Sequence, residues 1–595
     1  MTEQRRIGVY ICHCGGNISD FVDVAAVRDA VGDEADVVVA ETALFACSDG
    51  TQKDMEQAIR DQNLDGLVVA SCSPKLHLFT FRGVARRAGL NPFEYSHVNV
   101  REQDSWAHGD DTAAATEKAI SLVRAGIAKT RLSEPLDVLT VETTPKAMVI
   151  GAGIAGLRAA IGLADVGLGV YLVEREAELG GWVGTLGAMF PADRDGREMI
   201  ASLVEQVRAR PSIIVLTRAE LISKSGSFGN YVAEVRVRTG PAGADGDAAG
   251  DAAGDAAGDA DGTVIRAEVG SIIVATGTDS YQPEAGEFGY GIDGVLTLPE
   301  FTRLVDSADG PLTRNGRPVR TIAYIYCVGN RQPGGNEYCS KFCCTAAVHD
   351  SVKVSRLDPA VHQYHLYRDI RTYGKYELLY TESRERGSVY LKFADDAPPS
   401  VALGPDGRLA VTTTDTLTPG GDITIPADLV VLVTGMVARQ NDALKSILKV
   451  PVGSDGFFNE IHPKLRPVET MVDGVLVAGA CQGPKTSAEA VASGLTAVTQ
   501  TAAILKKGVA ELDPLVAAVD PAACTWCGVC AQTCPYEAIA SVAADGKQIA
   551  VISATTCKGC GGCAPLCPAD AIDLRGYTDA QITSMIDGMA REPVG

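Results

Sequence analysis

Residues 147–182 constrain the fold more than any other stretch: AMVIGAGIAGLRAAIGLADVGLGVYLVEREAELGGW. A short apolar run, Ala147 to Ile150, reads as a strand. Gly151, Gly153 and Gly156 then open a helix whose small or apolar face falls at Ala160, Leu163 and Val166. A second strand, Val170 to Val173, ends in Glu174. Gly151 suits a tight turn, Gly153 lets backbone approach a pyrophosphate, and Gly156 allows close helix–strand packing. The helix N-terminus offers free N–H groups and a positive dipole end to phosphate. Glu174 falls where a carboxylate can bond a ribose hydroxyl. A glycine triplet alone could be a glycine-rich turn; strand, helix, second strand and acid in register point to a dinucleotide site.

The 595 residues allow several domains with sizeable cores. A net charge of −22 argues against nucleic acid or an anionic membrane as partner. The basic start MTEQRR leads into only a short apolar run before Cys12, so no signal peptide is expected, and no apolar run approaches a membrane span. Seventeen cysteines in such a chain read as metal ligands and redox groups, which places the protein in the cytoplasm.

Residues 1–145 read as a small α/β domain. Strand-like runs at Ile7–Ile11, Val37–Ala40 and Leu67–Ala70 lead into Cys12 and Cys14, Cys47, and Cys72, with helices such as Gln52–Asp61 between. Strand ends of a parallel sheet share one edge, where ligands bind. The four cysteines could meet there round an iron–sulfur cluster, or they could be buried, unreactive thiols. Residues 146–515 read as the dinucleotide-binding domain. Its segment 241–262 (PAGADGDAAGDAAGDAAGDADG) lies between strand-like YVAEVRVR and TVIRAEV, and so on a hairpin tip, with a composition expected to stay disordered. Strand-like Ile322–Tyr326 is followed by no glycine fingerprint. It is followed by the 327–344 loop, with Cys327, Cys339 and the vicinal Cys343–Cys344. That set suits a [4Fe–4S] cluster, or a redox dithiol.

Residues 516–595 carry Cys524-x2-Cys527-x2-Cys530-x3-Cys534-Pro535, repeated as Cys557-x2-Cys560-x2-Cys563-x3-Cys567-Pro568. This is the two-cluster ferredoxin run, in which each fourth cysteine ligates the other cluster. One cluster is expected on Cys524, Cys527, Cys530 and Cys567, the other on Cys557, Cys560, Cys563 and Cys534. Zinc knuckles use paired C-x2-C units instead.

Several segments resemble known families. Glu178-Leu179-Gly180-Gly181-Trp182, the strand end Ala275-Thr276-Gly277 with its second copy LVVLVTG at 429–435, and Gly479-Ala480-Cys481 in VDGVLVAGACQGPKTS resemble FAD enzymes of the glutathione and thioredoxin reductase superfamily. The resemblance implies FAD, held by Gly180, Gly181, Thr276, Gly277, Gly479 and Ala480 besides the first fingerprint. The superfamily often has an Asp where Ala480-Cys481 stands. Over nearly the whole chain, CHCGGNI, ACSDG, ASCSPKLH, CVGNRQPGGNEYCSKFCCTAA, ACQGPK and the ferredoxin tail resemble the A-type, FAD and iron–sulfur subunit of heterodisulfide reductase. That implies an α/β flavoprotein: a thioredoxin reductase-like core, an N-terminal α/β domain and an α+β ferredoxin tail. It would be an oxidoreductase component passing electrons, in some complexes by bifurcation, to and from heterodisulfide reductase B/C-like, hydrogenase or dehydrogenase subunits, or ferredoxin. Cys327, Cys339, Cys343 and Cys344 would hold a cluster near the flavin. Full use of the cysteine sets gives one FAD and four [4Fe–4S] clusters, with Cys481 left over. Two features depart from the family. The extra ferredoxin module of longer members is replaced by the Asp/Ala/Gly tract. His349 stands where methanogen members have a flavin-tuning lysine, which would make that cation titratable near ~6.5. Two other readings stay open: an NAD(P)H-dependent disulfide reductase with Cys343–Cys344 as dithiol, and a non-enzymatic iron–sulfur redox sensor or assembly scaffold.

Overall fold

The computed structural model describes residues 5–238, 257–259, 262–418, 420–544 and 546–590. They divide into two compact units: 5–141 with 511–590, and 142–510.

The first unit begins with a parallel sheet of β1 (Ile7–Cys12), β2 (Val37–Ala43), β3 (Gly66–Ser71) and β4 (Tyr95–Asn99), in the order β2-β1-β3-β4. Every residue of β1 and β3 is buried, as expected of central strands covered on both faces. Helices α1 (Val24–Gly32), α2 (Asp49–Asp61), α3 (Pro74–Ala88) and α4 (Thr112–Arg131) make the crossovers and cover. Asp23, Ser48, Ser73 and Asp111 cap them by accepting from backbone N–H groups of the first turn. From β1 the chain crosses to β2 on one side and β3 on the other. That reversal opens a crevice at the carboxyl edge, where Cys12, Cys14, Cys47 and Cys72 lie.

The tail pairs Ala517–Val519 with Ile572–Leu574 and builds a hairpin from Ile539–Ala544 and Lys547–Ile552. Its helix Asp579–Ala590 lies on α4. Gln581 Nε2 donates to Leu132 O (3.1 Å) and Ser584 Oγ to Ala128 O (3.3 Å). A side chain at Gly588 would stand 3.1 Å from Arg124 O, a tight contact that glycine avoids where the helices meet. Lys129 Nζ sits 3.9 Å from the Tyr577 ring centre, and Arg82 pairs with Asp513 at 2.8 Å.

The principal strands of the second unit are, in chain order, β5 (Lys146–Ile150), β6 (Gly169–Val173), β7 (Ile213–Leu216), β8 (Ser271–Val274), β9 (Thr321–Val328), β10 (Leu429–Thr434) and β11 (Val475–Val477). One parallel sheet has the order β7-β6-β5-β8-β11. The other runs Val295–Thr297, β10, β9, His362–Tyr367, Val389–Lys392. Helices α5 (Ile154–Asp165), α6 (Cys343–Leu357) and α7 (Ser487–Leu505) follow the strand ends that matter for the site. The protein is therefore α/β with a Rossmann-type core and an α+β tail.

Local details differ from the sequence reading. The strand expected to end at Gly479-Ala480-Cys481 stops at Val477, and Gly479–Gln482 winds into a single tight turn. Gly479, at φ +73, forces that change of direction. The strands flanking the Asp/Ala/Gly tract pair antiparallel, Val237 opposite Thr263, as a hairpin requires. Most of the tract, 241–256 with 260–261, lies outside the described residues. Ala257–Asp259 departs from the expected disorder by pairing with Gly262–Val264, since backbone hydrogen bonds need no apolar side chains. Among the described residues no helix is long and apolar enough to cross a membrane.

Asp104, in the turn after β4, is fully buried, and among the described residues neither carboxylate oxygen has a hydrogen-bond partner. Burial pushes it up to about 6, with Lys118 and His108 pulling the other way. A carboxyl raised from 3.8 to about 6 costs nothing below the lower value, and its full penalty applies above the upper one. Asp104→Asn should therefore stabilise the protein at pH 7.5 by about 1 kcal/mol and give no gain near pH 4, as read by calorimetric melting at both pH values.

Candidate functional site

Three chain segments meet at the carboxyl ends of β5, β8 and β11. Gly151 takes φ +101, and any side chain there would strike the Ala275 carbonyl. A side chain at Gly156 would overlap the Gly151 carbonyl oxygen. Gly153, by contrast, faces open space, with nothing within 4 Å of where its side chain would be. It also stands at the N-terminus of α5, where among the described residues no side chain caps the helix, which leaves its first N–H groups to an anion. Gly180 N–H donates to Ala152 O (2.8 Å), and Gly181 comes up against Gly153. Glu174 accepts from the Ala152 and Glu176 N–H groups at 2.7 and 3.0 Å, which fixes the acid at the rim. Thr276 accepts from Asn441 Nδ2 (3.4 Å), and Gly277, at φ +73, is open. Gly479 N–H donates to Ser493 Oγ of α7 (3.1 Å), and Ala480 follows in the same turn. An uncapped helix end, an open glycine and a rim carboxylate fit the pyrophosphate and ribose of a dinucleotide such as FAD.

At the end of β9, Cys327 takes φ +63 and turns the chain into the 327–344 loop. Cys327, Cys343 and Cys344 share one buried cluster. Cys343 donates to Cys344, which pushes Cys343 well up and holds Cys344 below the usual thiol range. Cys327 and Cys339 both lie close enough to repel a charge on Cys343. The sulfurs have donors. Lys341 N–H reaches Cys339 Sγ (3.4 Å), Arg331 Nη1 reaches Cys327 Sγ (3.8 Å), and the Arg371 backbone N–H faces Cys344. Lys341 also pairs with Glu489 (2.6 Å), the residue that completes the cap of α7 with Thr486. The loop is thus tied to the helix that follows the Gly479 turn.

His349 lies further along α6, buried, with Nε2 3.1 Å from Asp193 Oδ1 and its ring edge-on to Phe190. Burial, then Lys353, lowers its pKa from the ordinary 6.5, so near neutral pH the ring is uncharged. The cation expected at this place is a neutral group here.

The structure also gathers the N-terminal set. Ala46 and Cys14 N–H groups donate to Cys12 Sγ (3.3 and 3.2 Å), and Arg101 Nη1 donates to Cys14 Sγ at 3.3 Å. Burial pushes Cys12 up, with charge on Cys14 and Cys47 adding to it. Burial likewise pushes Cys72 up to about 12, against the pull of Arg101 and with Cys14 and Cys12 adding. The sequence reading missed Arg101, Arg331 and Arg371, because only the folded loops bring them to sulfur.

In the tail, one hollow is lined by Cys524, Cys527, Cys530 and Cys567 with Trp526 and Ile572. A second is lined by Cys534, Cys557, Cys560 and Cys563 with Tyr536 and Ile539. Each hollow takes three cysteines from one run and the fourth from the other. Backbone N–H groups of Ala550, Ala571, Ala538 and Gly559 donate to Cys524, Cys567, Cys534 and Cys557 at 3.3 to 3.5 Å. Among the described residues no three His, Cys, Asp or Glu side chains close on a single metal ion. Sulfurs spread round a hollow suit a cage of iron and sulfide instead. Cys481 stands apart, donating to the Val274 and Ala478 carbonyls, with its thiol pushed up to about 11 by burial.

Residues 523–571 match the family of 4Fe-4S dicluster domains, and residues 145–329 that of pyridine nucleotide-disulphide oxidoreductases. The second A-type iron-sulfur subunit of CoB–CoM heterodisulfide reductase from Methanopyrus kandleri is 37% identical over 99% of both chains. The corresponding A-type subunit of Methanocaldococcus jannaschii is 36% identical over 98% of both. The chain belongs to the family of A-type heterodisulfide reductase subunits. It is an oxidoreductase component with a flavin domain and a two-cluster iron–sulfur domain. A third member, the A-type subunit of the H2:CoB-CoM heterodisulfide,ferredoxin reductase of Methanothermobacter thermautotrophicus, is 36% identical over 90% of this chain and 91% of its own. Among solved structures, the thioredoxin reductase of T. acidophilum superposes at a TM-score of 0.41 and 16% identity, covering 60% of this chain and 97% of that one, too loosely to build on.

Gly156→Ala should abolish co-purifying flavin, because the added methyl overlaps the Gly151 carbonyl; absorbance near the flavin bands of the purified variant reads it. Cys567→Ala should remove the cluster of Cys524, Cys527 and Cys530 and spare the one of Cys557, Cys560 and Cys563. Iron analysis should then show a loss of about four atoms per chain.

Proposed function

We propose that this protein relays electrons between partner proteins through FAD and four [4Fe–4S] clusters. The end of β9 supports this reading most. Where a nicotinamide-binding strand would lead into a GxGxxG turn, this one carries Cys327 and leads into Gly329-Asn330 and a cysteine loop. Without the GxGxxG spacing, backbone has no cradle for a second pyrophosphate.

When bound, FAD supplies the exchange between two-electron and one-electron chemistry. The chain's own residues supply placement. The free N–H groups of α5 and the open side of Gly153 take the pyrophosphate, and Glu174 the ribose. Thr276–Gly277 and Gly479–Ala480 bring backbone to the flavin's chain. The Lys341–Glu489 pair pins the cysteine loop to α7, so that Cys327, Cys339, Cys343 and Cys344 hold a cluster beside the flavin. Cys12, Cys14, Cys47 and Cys72 hold the fourth. His349, neutral beside Asp193, steadies the segment after Gly181 instead of placing a charge at the flavin. The Asp/Ala/Gly tract contains no cysteine, so it supplies no ligands for the extra ferredoxin module of longer members. The partners are cytoplasmic heterodisulfide reductase B/C-like subunits, a hydrogenase or dehydrogenase subunit, or a ferredoxin, in keeping with the named relatives.

Anaerobic stopped-flow bleaching of the flavin tests the reading. Reduced ferredoxin should bleach it quickly, NADH and NADPH slowly or not at all. The double replacement Cys527→Ala with Cys560→Ala should block the ferredoxin route with flavin still bound. Fast bleaching by NADPH that survives this replacement would identify a disulfide reductase instead.

A further inference from the structure

The four cysteine sets differ in what faces their sulfurs. In the tail, the donors to Cys524, Cys534, Cys557 and Cys567 are backbone N–H groups. In the other two sets a guanidinium reaches the sulfur: Arg331 Nη1 at 3.8 Å from Cys327 Sγ, and Arg101 Nη1 at 3.3 Å from Cys14 Sγ. Each arginine also holds an acid, Asp369 at 2.8 Å and Glu102 at 2.6 Å.

Burial decides which charge the sulfur feels. The Arg331 side chain is 18% exposed and its Asp369 partner 50%; Arg101 is 15% exposed and Glu102 29%. In the Arg331 pair the cation lies in the drier place and the acid nearer water, which screens it; in the Arg101 pair the arginine is again the drier partner, though Glu102 Oε2 is itself buried. Other contacts hold the arginines there. Arg331 takes φ +55, and its carbonyl accepts from Arg368 Nη1 at 2.6 Å. The Arg101 guanidinium stacks on the Trp106 ring at 4.4 Å. A long side chain held from both ends spends little entropy on pointing at a sulfur.

We propose that Arg331 and Arg101 are positioning residues that raise the reduction potentials of the loop and N-terminal clusters. The inference rests on those two sets holding clusters. Reduction adds one negative charge to a cluster, and a fixed cation at a ligating sulfur favours the reduced state. In the tail the sulfurs take N–H dipoles, and Lys558 lines the second hollow, so the hollow of Cys524, Cys527, Cys530 and Cys567 is the reference with no cation in its lining. An electron that reaches the loop from the tail is then held there, beside the flavin.

The test is an anaerobic redox titration of the reconstituted full chain followed by electron paramagnetic resonance, with the tail signals as internal reference. At fixed potential, Arg331→Gln should lower the reduced-to-oxidised ratio of the loop cluster about tenfold, which is 59 mV for a one-electron couple. Arg331→Lys should keep most of the wild-type value. Asp369→Asn, a change at a half-exposed side chain, should shift the same midpoint upward. A loop midpoint that moves in neither Arg331→Gln nor Asp369→Asn, or moves the same way in both, overturns the role of the arginine. Wild-type protein with iron for the tail alone overturns the cluster assignment itself, and iron analysis of the same samples tells the two failures apart.

Discussion

Sulfur ligands brought together repel one another, and that repulsion is the constraint the structure answers repeatedly. Four thiols in one crevice raise each other's pKa, as burial already does at Cys12, Cys72 and Cys327. Such a set persists only where N–H dipoles or cations face the sulfurs. Parallel β-strands supply the dipoles, because their carboxyl ends open into loops whose N–H groups are not yet committed to a ladder. The N-terminal cysteines and the 327–344 loop both sit at such ends. The tail reaches the same result through turns, with each run lending its last cysteine to the other.

The flavin cradle obeys the opposite electrostatics with the same means. A pyrophosphate brings negative charge to the N-terminus of α5, where the helix offers uncapped N–H groups. Gly153 keeps that approach clear, while Gly151 and Gly156 draw backbone against backbone beneath it. Lys341 and Glu489 then join the two regimes, because one ion pair links the cysteine loop to the helix behind the Gly479 turn.

Short-range pattern made much of this legible from sequence. Glycine spacing places the turn at Gly151 whatever the rest of the chain does, and the duplicated cysteine frame carries its own crosswise pairing. Strands such as β1, β3 and β9 announced themselves as apolar runs. What stayed hidden depends on chain return. Arg331 reaches Cys327 only because Cys327 turns left-handed, and Arg371 arrives from beyond the next strand. His349 reads as an ordinary imidazole until burial lowers its pKa against the pull of Asp193. Nothing in the spacing tells that Asp104 is sealed from water, or that the tail shares a compact unit with the first 141 residues.

That shared unit sets the order in which the fold is completed. Helix α4 presents to the tail helix a face that stays bare until residues 579–590 leave the ribosome, after the whole flavin unit has emerged. Until then Ala125 and Ala128 have no partner for the surface that Gly588 later covers. The flavin unit can fold and load its nucleotide first. The face of α4 at Arg124–Leu132 is completed last, so a product that stops before residue 579 leaves it exposed.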